Sequence, residues 1–187
     1  MNVPNLISLV RLAAVPVVVW MIATGHFAGA FWIFVAAGVS DAIDGYLARI
    51  LNQRTRLGAY LDPIADKMLL VCVFVTLGQV GKLEPWLVIL VVSRDVMIVG
   101  GIILLFLLEH RVAIAPSFIS KANTTVQIAF AGLVLARYGL DFGGPGWGPA
   151  LEWASYVVAL TTLFSGAHYV AVGVRHLAAA DSGSAKG

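Results

Sequence analysis

Long apolar runs restrict the fold of this chain more than any other feature of its sequence. Six of them recur along the 187 residues, at about 7–24, 28–50, 58–79, 86–108, 119–137 and 150–173. Each is about 18 residues long or longer, which is the length of helix that crosses the hydrocarbon layer of a bilayer. Within that layer no water satisfies backbone N–H and C=O groups, so only helices and closed barrels span it. The sequence therefore predicts an all-α membrane protein with six transmembrane helices.

The composition supports this fold class and suggests a simple domain organisation. Hydrophobic residues make up 60% of the chain and charged residues 12%, whereas soluble domains carry about 25% charged residues. We expect residues 1–180 to form a single membrane domain and residues 181–187, which are mostly small and polar, to form a flexible tail. A net charge of +2 gives no reason to expect a nucleic-acid partner.

The distribution of Lys and Arg predicts the orientation of the six spans. Six spans place both termini on one side of the membrane, and eight Lys and Arg residues then fall on that side against two on the other. Cytoplasmic loops carry the excess of Lys and Arg, so we expect both termini in the cytoplasm and the chain in the inner membrane of a bacterium. The eight residues are Arg11, Arg49, Arg54, Arg56, Arg111, Lys121, Arg175 and Lys186, and the two are Lys82 and Arg137.

Two of the predicted spans carry acidic residues where they should be apolar. Asp41 and Asp44 lie near the end of the second span, and Asp62 and Asp66 lie near the start of the third. Each charge inside a membrane helix costs roughly 2.5–3.5 kcal/mol, so the acids need a compensating partner. Spacings of three and four residues place each pair on one helix face. Because a short loop joins the two helices as antiparallel neighbours, we expect both pairs to meet at the cytoplasmic end.

The chemistry of these acids predicts a metal site. Carboxylates are the hard oxygen ligands that suit Mg²⁺ or Mn²⁺. Four carboxylates can hold two such ions about 3.5–4 Å apart, an arrangement that clamps phosphate groups. The small residues Gly45, Ala48 and Gly58 lie between the acids, and small residues allow helices to approach closely.

Two alternatives explain the acids without a phosphate-binding site. They could be helix-end charges that pair with Arg49, Arg54 and Arg56 of the adjoining loop. They could also belong to a small cation transporter, which would place its acids near the middle of the bilayer on broken helices with internal repeats. The acids of this chain lie at one face beside a basic loop, and the sequence shows no internal repeat.

The acids belong to a longer motif that carries a family resemblance. Residues 41–66 follow the pattern D-x2-D-G-x2-A-R-x8-G-x3-D-x3-D without a departure. The chain therefore resembles the CDP-alcohol phosphotransferases, and its six-helix layout extends the likeness over nearly the whole chain. The resemblance implies an enzyme that transfers a phosphatidyl or similar group from a CDP-linked donor to an alcohol and releases CMP.

The resemblance also implies roles for individual residues. The implied ligands of two metal ions, Mg²⁺ or Mn²⁺, are Asp41, Asp44, Asp62 and Asp66. Asp66 would also be the catalytic base that takes the proton of the acceptor hydroxyl. The family likeness further suggests a homodimer.

Other residues are implied in binding the donor, CDP-diacylglycerol. Gly45, Arg49 and Thr55 match the motif positions that contact its CDP part. Asn5 and Ser8 match the donor-contacting segment at the N-terminus of the family less specifically.

The second half of the chain bears on the acceptor alcohol. The blocks at 2–5, 93–98 and 118–127 look like those of the CMP-forming cardiolipin synthases, which use phosphatidylglycerol. The alternative is a phosphatidylglycerophosphate synthase, which uses glycerol 3-phosphate and usually carries a further Arg two turns after the Arg of span four. Here that later position falls near Ile102. A dianionic acceptor favours an additional cation in its site. The lack of that later Arg therefore fits an acceptor lipid with a single phosphodiester charge.

Arg94 and Lys121 are the candidates for binding the phosphate of the acceptor. Arg94 lies within span four, where it could instead pair with Asp95 or with the acid motif. Lys121 begins span five at the cytoplasmic face, where it could instead serve only as an anchoring charge.

Overall fold

The structure of the chain is a computed structural model. It describes the backbone at residues 3–50, 56–107, 118–141, 144 and 146–184, and the side chains at residues 10–40, 67–101, 118–141, 144 and 146–173. Within these residues the regular secondary structure consists of six helices. The predicted all-α fold class is therefore confirmed.

The helices follow the predicted apolar runs closely, with one exception. In chain order they are α1 (Val3–Ala23), α2 (Phe27–Ile50), α3 (Arg56–Gln79), α4 (Pro85–Leu107), α5 (Phe118–Gly139) and α6 (Trp147–Ser184). The exception is α6, which ends at Ser184 although its apolar run ends at 173, and which passes position 181, where a tail was expected. Its last part contains Leu177 and the three alanines that follow, and these residues favour a helix whether or not they lie in a membrane.

Helix α1 holds the first half of the bundle together. It packs against both α2 and α3, and α5 also contacts both of these helices. Helix α6 packs against α4 and α5, and α3 packs against α4. Within the described part of the chain, α2 and α3 make no direct contact, because α1 and α5 lie between them. The close approach predicted at Gly45, Ala48 and Gly58 lies outside the described side chains.

Two turns place consecutive helices side by side. Gly25 follows α1 with a φ of +80°, and Gly81 follows α3 with a φ of +68°. Both values lie in the left-handed region, which glycine adopts without a steric penalty. After α3, the N–H of Lys82 donates to the C=O of Leu77 at 2.8 Å, which closes the helix end in the usual glycine-containing motif.

These turns and the end of α5 form one end of the bundle, which we call the distal end. There Gly139 lies directly against the backbone of Phe27 and Ala28, and a Cβ atom at 139 would come within 2.5 Å of the Ala28 nitrogen. The Nζ of Lys82 lies 4.4 Å from the ring centroid of Tyr138, a cation–π distance. Helices α2, α3 and α5 are therefore closely joined here. We call the opposite end, where α2 ends and α3 begins, the acid end.

The described residues also bear on the number of membrane crossings. Two helical stretches, Phe118–Gly139 and Trp147–Gly173, are long and apolar enough to cross a membrane. Shorter apolar stretches occur at Val10–Ala23, Phe27–Ser40 and Lys67–Gln79, which are parts of α1, α2 and α3. Six helices are thus observed in the described part of the chain, and six crossings stay a prediction.

Candidate active site

The acid motif lies on the two helices that meet the acid end. Positions 41 and 44 belong to α2, and positions 62 and 66 belong to α3. The side chains of Asp41, Asp44, Asp62 and Asp66 lie outside the described residues, as do the predicted donor contacts Asn5, Ser8, Gly45, Arg49 and Thr55. Their roles therefore stay predictions. The described side chains include no cluster of three or more His, Cys, Asp or Glu residues that could hold a metal ion.

A cavity of about 210 Å³ separates α2 from α3 next to the acid motif. Its walls come from α1, α2, α3 and α5, and its lining residues are Arg11, Phe34, Ala37, Gly38, Leu69, Leu70 and Ile128. Ala37 precedes Asp41 by four residues, and Leu70 follows Asp66 by four, so the cavity lies one helical turn from two acid positions. Arg11, which the sequence assigned to the positive cytoplasmic side, is buried inside the bundle with 4% of its surface exposed.

Arg94 is the centre of a polar cluster that joins three helices. Its side chain is 3% exposed, and its guanidinium donates to Asp95 Oδ1 at 2.6 Å. It also donates to Ser120 Oγ of α5 at 2.7 Å and to Ser165 Oγ of α6. Arg94 therefore pairs with Asp95, which was one of the two alternatives predicted for it. Its Nε has no hydrogen-bond partner among the described residues, so one donor of the guanidinium remains available.

Lys67 extends this cluster to a fourth helix and to the acid motif. Its Nζ lies 3.0 Å from the same Asp95 Oδ1 that Arg94 contacts. Lys67 follows Asp66 directly in α3, and 37% of its side chain is exposed. It lines an apolar groove of about 360 Å³ between α3 and α4, together with Asp95 and residues such as Val71 and Val99. We call Lys67, Arg94, Asp95, Ser120 and Ser165 the Arg94 cluster.

A second buried cluster lies one turn further along α5 and α6. Thr162 Oγ1 donates to Asn123 Oδ1 at 3.1 Å and accepts from Gln127 Nε2 at 3.1 Å. All three side chains are fully buried. Asn123 Nδ2 and Gln127 Oε1 have no hydrogen-bond partner among the described residues. We call these three residues the amide cluster, and both clusters together the polar seam.

Lys121 stands apart from the polar seam. It is exposed in the first turn of α5, next to Ser120 of the Arg94 cluster. Among the described side chains no carboxylate lies within ion-pair distance of its ammonium. The structure thus brings Arg94 and Lys121 to the same region of α4 and α5 but does not join them.

Several residues of this region were not predicted from the sequence. Lys67 directly follows the acid motif, and a short turn joins α3 to α4. Its place in the sequence could therefore have indicated a contact with α4. The hydroxyl and amide members of the seam gave no such signal. Each is a single polar residue in an apolar run, and its partner lies between 26 and 71 residues away.

The comparison with protein families agrees with the motif and the helical layout. A family model described as CDP-alcohol phosphatidyltransferase matches residues 1–165. Because the match covers most of the 187 residues, the chain belongs to the CDP-alcohol phosphatidyltransferase family.

The curated relatives fall into two named groups. The chain is 35% identical over 186 residues to the chloroplastic CDP-diacylglycerol–glycerol-3-phosphate 3-phosphatidyltransferase 1 of Oryza sativa subsp. japonica, covering 90% of this chain and 56% of the relative. It is 33% identical over 154 residues to the cardiolipin synthase (CMP-forming) of Homo sapiens, covering 72% and 50%. It is 32% identical over 184 residues to the CDP-diacylglycerol–glycerol-3-phosphate 3-phosphatidyltransferase of Bacillus subtilis, covering 90% and 93%. The chain thus spans only about half the length of the rice and human relatives.

Proposed function

We propose that this protein transfers the phosphatidyl group of CDP-diacylglycerol to phosphatidylglycerol, giving cardiolipin and CMP. In this proposal its six helices cross the inner membrane of a bacterial cell, its active site faces the cytoplasm, and two copies form a homodimer. Membership of the family and the complete acid motif at 41–66 support the phosphatidyltransferase activity. The charge of the Arg94 cluster supports the choice of acceptor.

The Arg94 cluster carries a net charge of about +1 from its side chains. Lys67 and Arg94 are cations, and Asp95, which contacts both, is an anion. One surplus positive charge complements the single negative charge of a phosphodiester such as that of phosphatidylglycerol. A phosphomonoester has a larger charge and favours additional cations. Lys67 is partly exposed at a groove with apolar walls, which suits a lipid acceptor better than a small polar one.

The donor set of the acid motif fits Mg²⁺ or Mn²⁺. It consists of four carboxylates without a sulfur or imidazole ligand in the motif, and hard oxygen ligands are the ones these ions prefer. We propose that Asp41, Asp44, Asp62 and Asp66 hold two such ions. When bound, the ions neutralise the pyrophosphate of the donor and the departing CMP.

The protein's own residues then bind and orient both substrates. Gly45, Arg49 and Thr55, helped by Asn5 and Ser8, contact the CDP part of the donor. Arg94 and Lys121 hold the phosphate of the acceptor near the acid end. Holding both reactants in line supplies much of the rate acceleration in phosphoryl transfer.

Asp66 acts as the general base in the proposed reaction. It takes the proton from the acceptor hydroxyl while the hydroxyl oxygen attacks the phosphorus of the phosphatidyl group. The bond from that phosphorus to the CMP oxygen breaks, and CMP leaves with the electron pair. A phosphodiester bond to the acceptor replaces the bond that was broken.

A second candidate function is the synthesis of phosphatidylglycerophosphate from glycerol 3-phosphate. The similarity to the Bacillus subtilis enzyme favours it, because that match extends over 93% of the length of a relative named for this acceptor. The two candidates share the donor, the acid motif and the chemistry, and they differ in the acceptor pocket.

An assay with each acceptor separates the two candidates. The purified protein is given CDP-diacylglycerol and Mg²⁺ with either phosphatidylglycerol or glycerol 3-phosphate, and the lipid product is identified by mass spectrometry. We expect cardiolipin and CMP from the first mixture and little product from the second. Efficient use of glycerol 3-phosphate with no use of phosphatidylglycerol would show that the second candidate is correct.

The Asp66→Asn variant is the matched control for this assay. It keeps the shape of the side chain but removes the base, and we expect turnover to fall by at least about 10²-fold. Near-normal turnover in this variant would assign the base to another residue. Absence of turnover of either acceptor by the unmodified protein would contradict the phosphatidyltransferase activity itself.

A further inference from the structure

We infer that Thr162 of α6 is a positioning residue for Arg94 and thereby sets the affinity for the acceptor. Through the amide cluster it fixes α5 against α6, so that one serine from each of these helices meets the Arg94 guanidinium. This inference rests on the proposed function, since it assumes that Arg94 holds the phosphate of the acceptor.

The two clusters of the polar seam lie on the same faces of α5 and α6. On α5, Ser120 and Asn123 are three residues apart, and residues at this spacing share a helix face. On α6, Thr162 and Ser165 have the same spacing. Ser120 and Ser165 meet at Arg94 Nη2, and one turn away Asn123 meets Thr162. The two helices are therefore antiparallel here, and the two contacts lie about 4.5 Å apart along them.

The hydroxyl of Thr162 fixes the height of α6 relative to α5. It donates to Asn123 Oδ1 and accepts from Gln127 Nε2, each at 3.1 Å. The two amides are four residues apart on α5, so a slide of α6 by one residue, about 1.5 Å, would lengthen one of these bonds. All three side chains are fully buried, where a polar group without a partner is costly. The amide cluster therefore opposes such a slide.

Arg94 depends on this alignment because its partners come from both helices. Its Nη2 donates to Ser120 of α5 and to Ser165 of α6. The guanidinium is planar and its donors point in fixed directions, so the bonds to these serines and to Asp95 decide where the remaining donors point. One of them is Nε, which has no hydrogen-bond partner among the described residues. A misalignment of α5 and α6 should therefore turn the donors that the acceptor phosphate needs.

Substitutions at Thr162 separate its hydroxyl from its shape. Thr162→Val keeps the shape but removes the hydroxyl, and we expect it to raise the acceptor KM by about five-fold or more, because small misplacements of a binding group are costly. The donor KM should stay unchanged. Thr162→Ser keeps the hydroxyl and should retain most of the affinity for the acceptor. Steady-state kinetics below the Tm of each variant measures both constants.

The matched control is Thr161→Val on the same helix. It removes the same atoms from a neighbouring residue whose hydroxyl donates to the backbone C=O of Val158 at 3.0 Å. Thr161 lies four residues from Ser165, and Thr162 lies three, so both are one turn from the bond to Arg94. Thr161→Val should leave both KM values unchanged. An equal rise of the acceptor KM in the two valine variants would mean that Thr162 has no special role.

Thermal unfolding of the purified full-length protein in detergent tests the alignment without any assay of activity. Ser165→Ala should lower Tm by roughly 2–8 °C, both in the unmodified protein and in Thr161→Val, since it removes a bond to Arg94. In Thr162→Val the same change should lower Tm by less than about half as much, because that bond is already weakened. Equal losses in the two valine backgrounds would overturn the inference.

The two measurements distinguish failure of this inference from failure of the proposed function. Coupling of Thr162 to Ser165 with an unchanged acceptor KM would show that Arg94 is aligned but does not hold the acceptor, which contradicts the positioning role. If the unmodified protein uses neither acceptor, the proposed activity is wrong, and the melting experiment still decides whether Thr162 aligns Arg94. If Thr162→Val does not fold, Gln127→Met, which removes one of the two bonds, takes its place in both measurements.

Discussion

The distal half of the bundle and the polar seam use opposite chemistry within the same helices. Toward the distal end the core is made of fully buried apolar side chains, among them Val18, Ile22, Phe74 and Leu77. On the α4, α5 and α6 side nearer the acid end, the buried positions instead hold Arg94, Asp95 and Ser165 of the Arg94 cluster and the whole amide cluster.

This difference separates the packing of the bundle from its alignment. Between helices in a lipid environment there is little hydrophobic driving force, so apolar side chains contribute mainly through close packing, which several rotations of a helix can satisfy. A buried hydrogen bond requires one particular partner. The seam therefore selects the alignment of α4, α5 and α6, and it does so beside the acid motif, where alignment affects chemistry.

The largest expected effect comes from removal of metal ions. Activity should be abolished by a chelator and restored by Mg²⁺ or Mn²⁺, because in the proposed site the carboxylates of the motif bind the donor pyrophosphate through these ions. The apolar distal half should be unaffected, so the far-ultraviolet circular dichroism should stay unchanged. Full activity after exhaustive chelation would rule out the proposed two-ion site.

A substitution in the distal core should affect stability and leave catalysis intact. Phe74 is fully buried and its ring centroid lies 6.2 Å from that of Phe130. We expect Phe74→Ala to cost about 3 kcal/mol of unfolding free energy, the low end for such a change, because the unfolded reference in lipid is also apolar. The KM values for both substrates, measured well below the new Tm, should not change. A raised acceptor KM would show that the two regions are not independent.

A substitution at Lys121 should affect the acceptor and not the donor. A charge-assisted contact to a phosphate contributes roughly 1.5–3 kcal/mol, so Lys121→Ala should raise the KM of the acceptor by about ten-fold or more. Because Lys121 is exposed, stability should change little. Steady-state kinetics with each substrate varied in turn measures both constants. A change confined to the donor KM would place the acceptor pocket elsewhere.

The smallest effect is expected at a single hydroxyl of the seam. Ser165→Ala removes one acceptor of the Arg94 guanidinium, and the loss of one hydrogen bond to a charged group should cost about 1–2 kcal/mol of unfolding free energy. Ser155→Ala on the same helix removes a hydroxyl that donates only to the backbone of Glu152, so it is the matched control. Equal losses of unfolding free energy in the two variants would mean that the hydrogen bond to Arg94 contributes no more than a hydrogen bond within one helix.

The helices were predictable because their signals are local. Apolar runs placed the ends of five helices within a few residues. The end of α6 was not predictable from hydropathy, since a helix can continue where its apolar run stops. The pairing of Arg94 with Asp95 was foreseen as an alternative because the two are adjacent in sequence.

The polar seam was not predictable, because its partners are distant in sequence. Ser120, Thr162 and Ser165 are unremarkable in their own helices, and only the packing of α4, α5 and α6 makes them partners. The burial of Arg11 was not predicted from the sequence, for a related reason. An arginine near the start of an apolar run indicates a charge at the membrane surface unless the neighbouring helices are known.

The contacts of Gly139, Lys82 and Tyr138 at the distal end have a mechanical consequence for the opposite end. A helix joined at one end behaves as a lever, so a small tilt there becomes a displacement that grows with distance. Helix α5 has 22 residues and is therefore about 33 Å long, so a tilt of about 3° moves its far end by nearly 2 Å. The hydrogen bond from Arg94 to Ser120 near that far end therefore opposes a movement that the distal contacts alone would allow.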